Sequence, residues 1–190
     1  PLWKGRALAL IGIVLAAANL RTAVATMSPI YEQIGKDVVI TAVVIGLLGM
    51  VPPIMFSLAG ILSPRLARAT GLEWALVLAC LAMVVGPVIR AAAVDSTMLG
   101  VGTIIALAGA GVGNILIPPA VKKYFPDRIG RMTAVYATIM SIGAPLSPLV
   151  AAPATLEIGW RGWLLACAFV GLACAAPWID IALAHRRDLR

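Results

Sequence analysis

The sequence predicts an all-α membrane protein with six transmembrane helices, and three observations carry that expectation. The 190 residues are 62% hydrophobic and only 12% charged, with a mean hydropathy of +1.01. An ordinary soluble domain is about 45–50% apolar and 25% charged. Charge is concentrated in short clusters between long apolar runs, and a helix crossing the hydrocarbon layer needs roughly 20 residues, so the length holds about six spans with short connectors.

The runs follow in order. The first span covers 7–30 and ends in the polar connector Tyr31 to Asp37; the second covers 41–63 and is followed by Pro64 to Gly71; the third covers 72–93. The fourth covers 97–121 and ends at Lys122-Lys123-Tyr124-Phe125-Pro126-Asp127-Arg128, the fifth covers 132–154, and the sixth covers 163–184. No cleavable signal with a small-residue site precedes the first run, which reads as a retained span.

The net charge of +7 and the isoelectric point near 9.9 reflect topology rather than a nucleic-acid footprint, because the cations do not form one solvated face. Lys4, Arg6, Arg65, Arg68, Lys122, Lys123, Arg128, Arg131, Arg186, Arg187 and Arg190 fall on one side of the layout, whereas Lys36, Arg90 and Arg161 fall on the other. Basic residues accumulate in cytoplasmic loops, so both termini are expected in the cytoplasm of a multi-pass inner-membrane protein.

Arg21 belongs to neither surface. It lies inside the first span, where a guanidinium costs between about 2.5 and more than 10 kcal/mol unless it meets a partner or a water-filled cavity. No acidic residue is expected at its depth, which favours an anion-binding role over a purely structural one. At 100° per residue Arg21 shares a face with Ala17, Ala25 and Ser28, and Asn19, Thr22 and Thr26 form a second polar strip nearly opposite. Asn114 follows a small-residue stretch with GxxxG spacing between Gly109 and Gly113, a surface for close helix approach. Its amide suits either an anion or a neighbouring helix. Tyr136, Met140 and Gly143 share one face of the fifth span, so the Tyr136 hydroxyl is a further candidate ligand, with packing as its other reading.

Catalytic readings find no support. The only histidine, His185, sits in the basic tail, and no His, Cys or carboxylate cluster has metal-ligand spacing. Neither a metal nor a cofactor is expected. Cys80, Cys167 and Cys174 lie in apolar runs and read as buried reduced thiols. Prolines at Pro52-Pro53, Pro87, Pro118-Pro119, Pro145, Pro148 and Pro177 interrupt the spans and are expected to loosen them. Aligning Ser63–Glu73 with Ser147–Glu157 gives five identities in eleven positions, a trace of an inverted three-helix repeat that composition alone could also produce.

Two sets of residues carry a family resemblance. Gly60-Ile61-Leu62-Ser63-Pro64-Arg65-Leu66-Ala67-Arg68 resembles a degenerate form of the cytoplasmic loop signature of the major facilitator superfamily, with Pro64 and Ala67 replacing its usual acidic residue and glycine. Asn19-Leu20-Arg21, Gly113-Asn114-Ile115-Leu116-Ile117-Pro118 and Gly159-Trp160-Arg161-Gly162-Trp163 resemble the cyanate and nitroimidazole transporter branch of that superfamily.

The resemblance implies a major-facilitator-type half bundle with a 3+3 inverted repeat, moving a small anionic or polar organic solute by alternating access. Arg21, Asn114, Asn19 and Tyr136 would bind the substrate, and Arg65 and Arg68 would serve the cytoplasmic loop. The partners implied are the lipid bilayer, the solute and a second six-helix bundle, supplied by a homodimer or by the C-terminal half of a longer carrier. The rival reading is a non-transporting scaffold or receptor-like bundle in which Arg21 is structural.

Overall fold

Helix α1 (Arg6–Ala25) leads through the single turn α2 (Tyr31–Ile34) into α3 (Ala42–Thr70), α4 (Leu72–Ala91), α5 (Ser96–Tyr124) and α6 (Ile129–Asp188). The structure is a computed structural model that describes residues 6–25, 27 and 30–188, with side chains as far as Ala184. Lys4, Thr26, Ser28 and Arg190, and the side chains of His185, Arg186 and Arg187, lie outside the described residues, and the charge and polar-strip expectations that rest on them stay with the sequence.

Local chemistry sets the helix ends. The Thr41 hydroxyl accepts from the Val44 N–H at 3.3 Å and starts α3, and the Asp95 carboxylate accepts from the Met98 N–H at 2.7 Å and starts α5. Helix α3 runs seven residues beyond the expected span end at Ser63, so Arg65 and Arg68 stand on its last turns rather than in a loop. The connection to α4 is Gly71 alone, at φ +90° and ψ 154°. A side chain would be strained there, and glycine stops the helix and turns the chain at once.

Gly159, at φ +73° and ψ 161°, repeats this device inside α6. Without it, 60 residues of helix would extend about 90 Å. Instead Gly143 packs on Arg21 and Trp178 packs on Gly12, so the two segments of α6 both lie along α1 and the chain reverses at Gly159. The two glycines mark corresponding breaks, although the alignment of Ser63 with Ser147 pairs Gly71 with Thr155, one helical turn short of Gly159. The prolines do not break their helices: α3 continues through Pro52, Pro53 and Pro64, α4 through Pro87, and α5 through Pro118 and Pro119.

Helix α5 is the centre of the bundle, and its glycines show why. A Cβ on Gly109 would lie 2.5 Å from the Ala79 carbonyl oxygen of α4, one on Gly111 would lie 2.8 Å from Ala59 Cβ of α3, and one on Gly113 would lie 3.1 Å from Leu20 Cδ2 of α1. The GxxxG pair therefore serves two helices, because the 40° between its glycines turns them towards α4 and α1. Ile13, Leu20, Leu76, Met83, Ile117, Cys174 and Trp178 fill the main core. A second core at the end carrying Gly159 joins Ile30, Ile34, Val38, Leu99, Trp160 and Leu164. The three cysteines are buried and none is in a disulfide, with Cys80 and Cys174 Sγ atoms 3.3 Å apart.

Polar clamps close both ends. At the basic end Arg6 pairs with Asp127, donates from Nε to the Tyr124 carbonyl at 2.7 Å and stacks over Phe125. Nearby, Glu73 accepts from Lys123 Nζ at 2.5 Å and from the Tyr124 hydroxyl at 2.6 Å. At the other end Trp160 Nε1 donates to Asp37 at 2.8 Å, and Arg161 stacks on the Trp160 ring while donating to the Ala91 carbonyl at 2.6 Å.

Arg90 departs from the expected surface position. It is 1% exposed, and its Nε donates to Thr103 Oγ1 at 3.2 Å. Gly102 makes room for its stem, since a Cβ there would sit 2.8 Å from Arg90 Cγ. The four apolar residues that follow it, Ala91 to Val94, are the sequence signal that the apolar segment extends past this arginine.

Candidate functional site

Among the described residues five helices are long and apolar enough to cross a membrane, and two of them leave rows of apolar side chains exposed. Helix α3 buries only Leu48, Ala59 and Ser63, leaving Leu47, Met50, Ile54, Leu58 and Ile61 exposed. The first segment of α6 likewise exposes Val135, Ile142, Leu146 and Leu149.

A cavity of about 180 Å³ opens among these faces, lined by Leu20, Arg21 and Val24 of α1, Phe56 of α3, Asn114 of α5 and Met140 of α6. Each wall follows from local packing. Leu20 turns inward against Gly113, which carries the next residue, Arg21, outward. On α5 the residue after Gly113 is Asn114, which emerges beside it. Gly143 allows α6 to approach until its Cβ position is 3.4 Å from Arg21 Cβ, and Met140, about one turn away, completes the wall. Arg21 and Asn114 are both exposed, and Arg21 has no ion pair among the described residues. A guanidinium and a carboxamide thus face one space whose remaining walls are apolar, an arrangement that holds an anionic or polar group at one end and a hydrocarbon or aromatic body at the other.

The other two substrate-binding candidates stand elsewhere. Asn19 is 3% exposed and directs its amide to Met83 Sδ of α4 at 3.7 Å, so it lies in the core and outside the cavity. Its position two residues before Arg21 puts it about 160° around the helix, away from the cavity side. Tyr136 is half-buried against the main core and is not among the cavity's lining residues, whereas Met140 on the same helical face is. Arg65 and Arg68 are exposed at the basic end of α3. Phe56 carries no signal in the sequence, because one aromatic residue in an apolar helix has no periodicity. Among the described residues no group of three or more His, Cys, Asp or Glu side chains could hold a metal.

Comparison with known proteins agrees with this architecture. Residues 9–188 match the Major Facilitator Superfamily. Over 177 residues the chain is 30% identical to the 2-nitroimidazole transporter of Escherichia coli (strain K12), covering 93% of this chain and 45% of that protein. Over 177 residues it is 28% identical to the uncharacterized transporter YycB of Bacillus subtilis (strain 168), covering 92% of this chain and 44% of that one. The chain therefore spans less than half the length of these curated relatives. A multi-pass, helical membrane protein with this match over nearly its whole length belongs to the Major Facilitator Superfamily, a family of transporters rather than enzymes.

Proposed function

We propose that this chain is one six-span half of an alternating-access carrier for a small anionic or polar organic solute, which binds at Arg21 and Asn114. The observation that carries the reading is that these two residues, 93 positions apart in sequence, line the same cavity on the side of the bundle that lacks a partner. Arg21 supplies the attraction and a planar, two-pronged donor, Asn114 adds a neutral hydrogen-bonding group, and Phe56, Leu20, Val24 and Met140 receive the apolar part.

The long α6, reversed at Gly159, supplies the fifth and sixth spans, and the matching conformations of Gly71 and Gly159 support a 3+3 inverted repeat. Rocking needs a second bundle, and the exposed apolar face of α3 and the Val135, Ile142 and Leu149 row of α6 suit one, whether it comes from a second copy or from a C-terminal half. Both termini lie in the cytoplasm in this reading, with Arg65 and Arg68 at the cytoplasmic mouth.

The test is uptake of labelled 2-nitroimidazole and of a panel of small anions, cyanate among them, into cells expressing the complete gene product. Arg21→Lys keeps the charge and loses the two-pronged geometry, and uptake of the transported solute should fall about tenfold or more. Unchanged uptake removes Arg21 from the site. A variant that loses thermal stability without losing flux assigns Arg21 the structural role of the rival scaffold reading.

A further inference from the structure

Among the residues lining the cavity of Arg21 and Asn114, Phe56 alone is aromatic, and Gly111 fixes where its ring stands. A Cβ on Gly111 would lie 3.3 Å from Phe56 Cδ1, 3.3 Å from the Met55 carbonyl oxygen and 2.8 Å from Ala59 Cβ. At this point α3 and α5 therefore approach too closely for any side chain, and the Phe56 ring backs on the α5 main chain. Asn114 follows Gly111 by three residues, about 4.5 Å further along the same helix, and lines the cavity that the ring bounds.

The walls differ in compliance. Met140 is an unbranched thioether that adapts to what it meets. The Phe56 ring is rigid and has a helix main chain behind it, so a solute pressing on it finds no room to push it back. The reach from Arg21 and Asn114 to the α3 wall is thus the dimension that this chain holds fixed. Its size points to a class of solute. An apolar cavity of about 150 Å³ takes up benzene, and this one holds about 180 Å³ with a guanidinium and a carboxamide on its wall. One ring and one compact polar group fill such a space, and a fused second ring meets Phe56. An aromatic wall also favours an aromatic body, because paired rings gain from offset or edge-to-face contact beyond the area they bury.

We propose that Phe56, seated on Gly111, determines solute size at this site, and that the solute class is a single aromatic ring bearing one anionic or strongly polar group. The group meets Arg21 and Asn114, and the ring lies against Phe56. This inference rests on the binding site proposed above and narrows its solute from any small polar organic molecule to a monocyclic one.

The test is equilibrium binding of radiolabelled benzoate and 2-naphthoate to the purified complete gene product, in the parent and in Phe56→Ala, Phe56→Trp and Arg21→Met. The parent should bind benzoate at least about tenfold more tightly than 2-naphthoate. Phe56→Ala opens space for the second ring and should erase that preference. Phe56→Trp fills the space of the first ring and should weaken benzoate at least about tenfold. Arg21→Met should abolish saturable binding of both acids. If Phe56→Ala does not fold, Phe56→Leu takes its place and should relax the preference at least about threefold. Benzoate binding that survives Arg21→Met overturns the site itself. Binding that needs Arg21 but keeps its size preference in the Phe56 variant that folds overturns only the role of Phe56. Absent benzoate binding, or equal affinity of the parent for the two acids, overturns the solute class.

Discussion

Glu73 Oε1 accepts from Lys123 Nζ at 2.5 Å, and the two partners differ sharply in burial: the glutamate side chain is 5% exposed and the lysine side chain 42%. The pair locks the first turn of α4 to the last turn of α5, with the Tyr124 hydroxyl as a second donor at 2.6 Å.

This asymmetry predicts unequal mutants. Lys123→Met strands a buried carboxylate and should destabilise the bundle by about 2–3 kcal/mol, whereas Glu73→Gln leaves a lysine that rehydrates and should cost roughly 1 kcal/mol. Tyr124→Phe combined with Lys123→Met should be non-additive, since both act on one oxygen. Thermal unfolding in detergent reads all three. Equal losses would mean that the difference in burial does not set the cost of breaking the pair.

The Arg6–Asp127 pair predicts a pH dependence. The hydrogen bond from Arg6 holds the Asp127 carboxyl below its ordinary value near 3.8, against a smaller upward push from desolvation, with Arg128 at 3.4 Å also lowering it. A depressed folded pKa means that the pair's stabilisation is complete above the ordinary value and disappears as pH falls through the lower one. Asp127→Asn should therefore reduce stability at neutral pH and flatten the part of the acid limb below pH 4 that belongs to this group. An acid limb identical in both proteins would exclude the pair as its source.

Two glycines of α5 separate packing from propensity. Gly109→Ala drives a Cβ to within 2.5 Å of a backbone oxygen of α4 and should cost about 1–3 kcal/mol. Gly100 has nothing within 4 Å of its Cβ position, so Gly100→Ala should stabilise the helix by about 0.4–1 kcal/mol. Melting curves of the two variants should shift in opposite directions. A destabilised Gly100→Ala would show that another chain packs on that side of α5.

Much of the candidate site was legible because a charge in hydrocarbon is conspicuous. Arg21 stands out as a charge inside an apolar run and Asn114 as an amide after a small-residue stretch, and their helix assignments follow from apolar run lengths. Asn19 was readable as polar but not as buried, since helical spacing gives the angle between two side chains without saying which neighbour each meets. The break in α6 was legible as the polar stretch between the fifth and sixth apolar runs, but that Gly159 is the residue that makes it, at φ +73°, shows only in the backbone.

The amino-acid sequence by itself determined that the chain resides in a membrane, where its helices fall and that one arginine is placed inside them, because burial of apolar length and exclusion of charge are local, additive costs. Only the tertiary structure decided that Leu20 packs inward so that Arg21 and Asn114 line one cavity, and that Arg90 turns into the bundle beside Thr103. It also decided that the two segments of α6 leave a groove beside α1. Those outcomes depend on which small residues let which helices approach, and close packing between segments distant in sequence is a property of the whole arrangement.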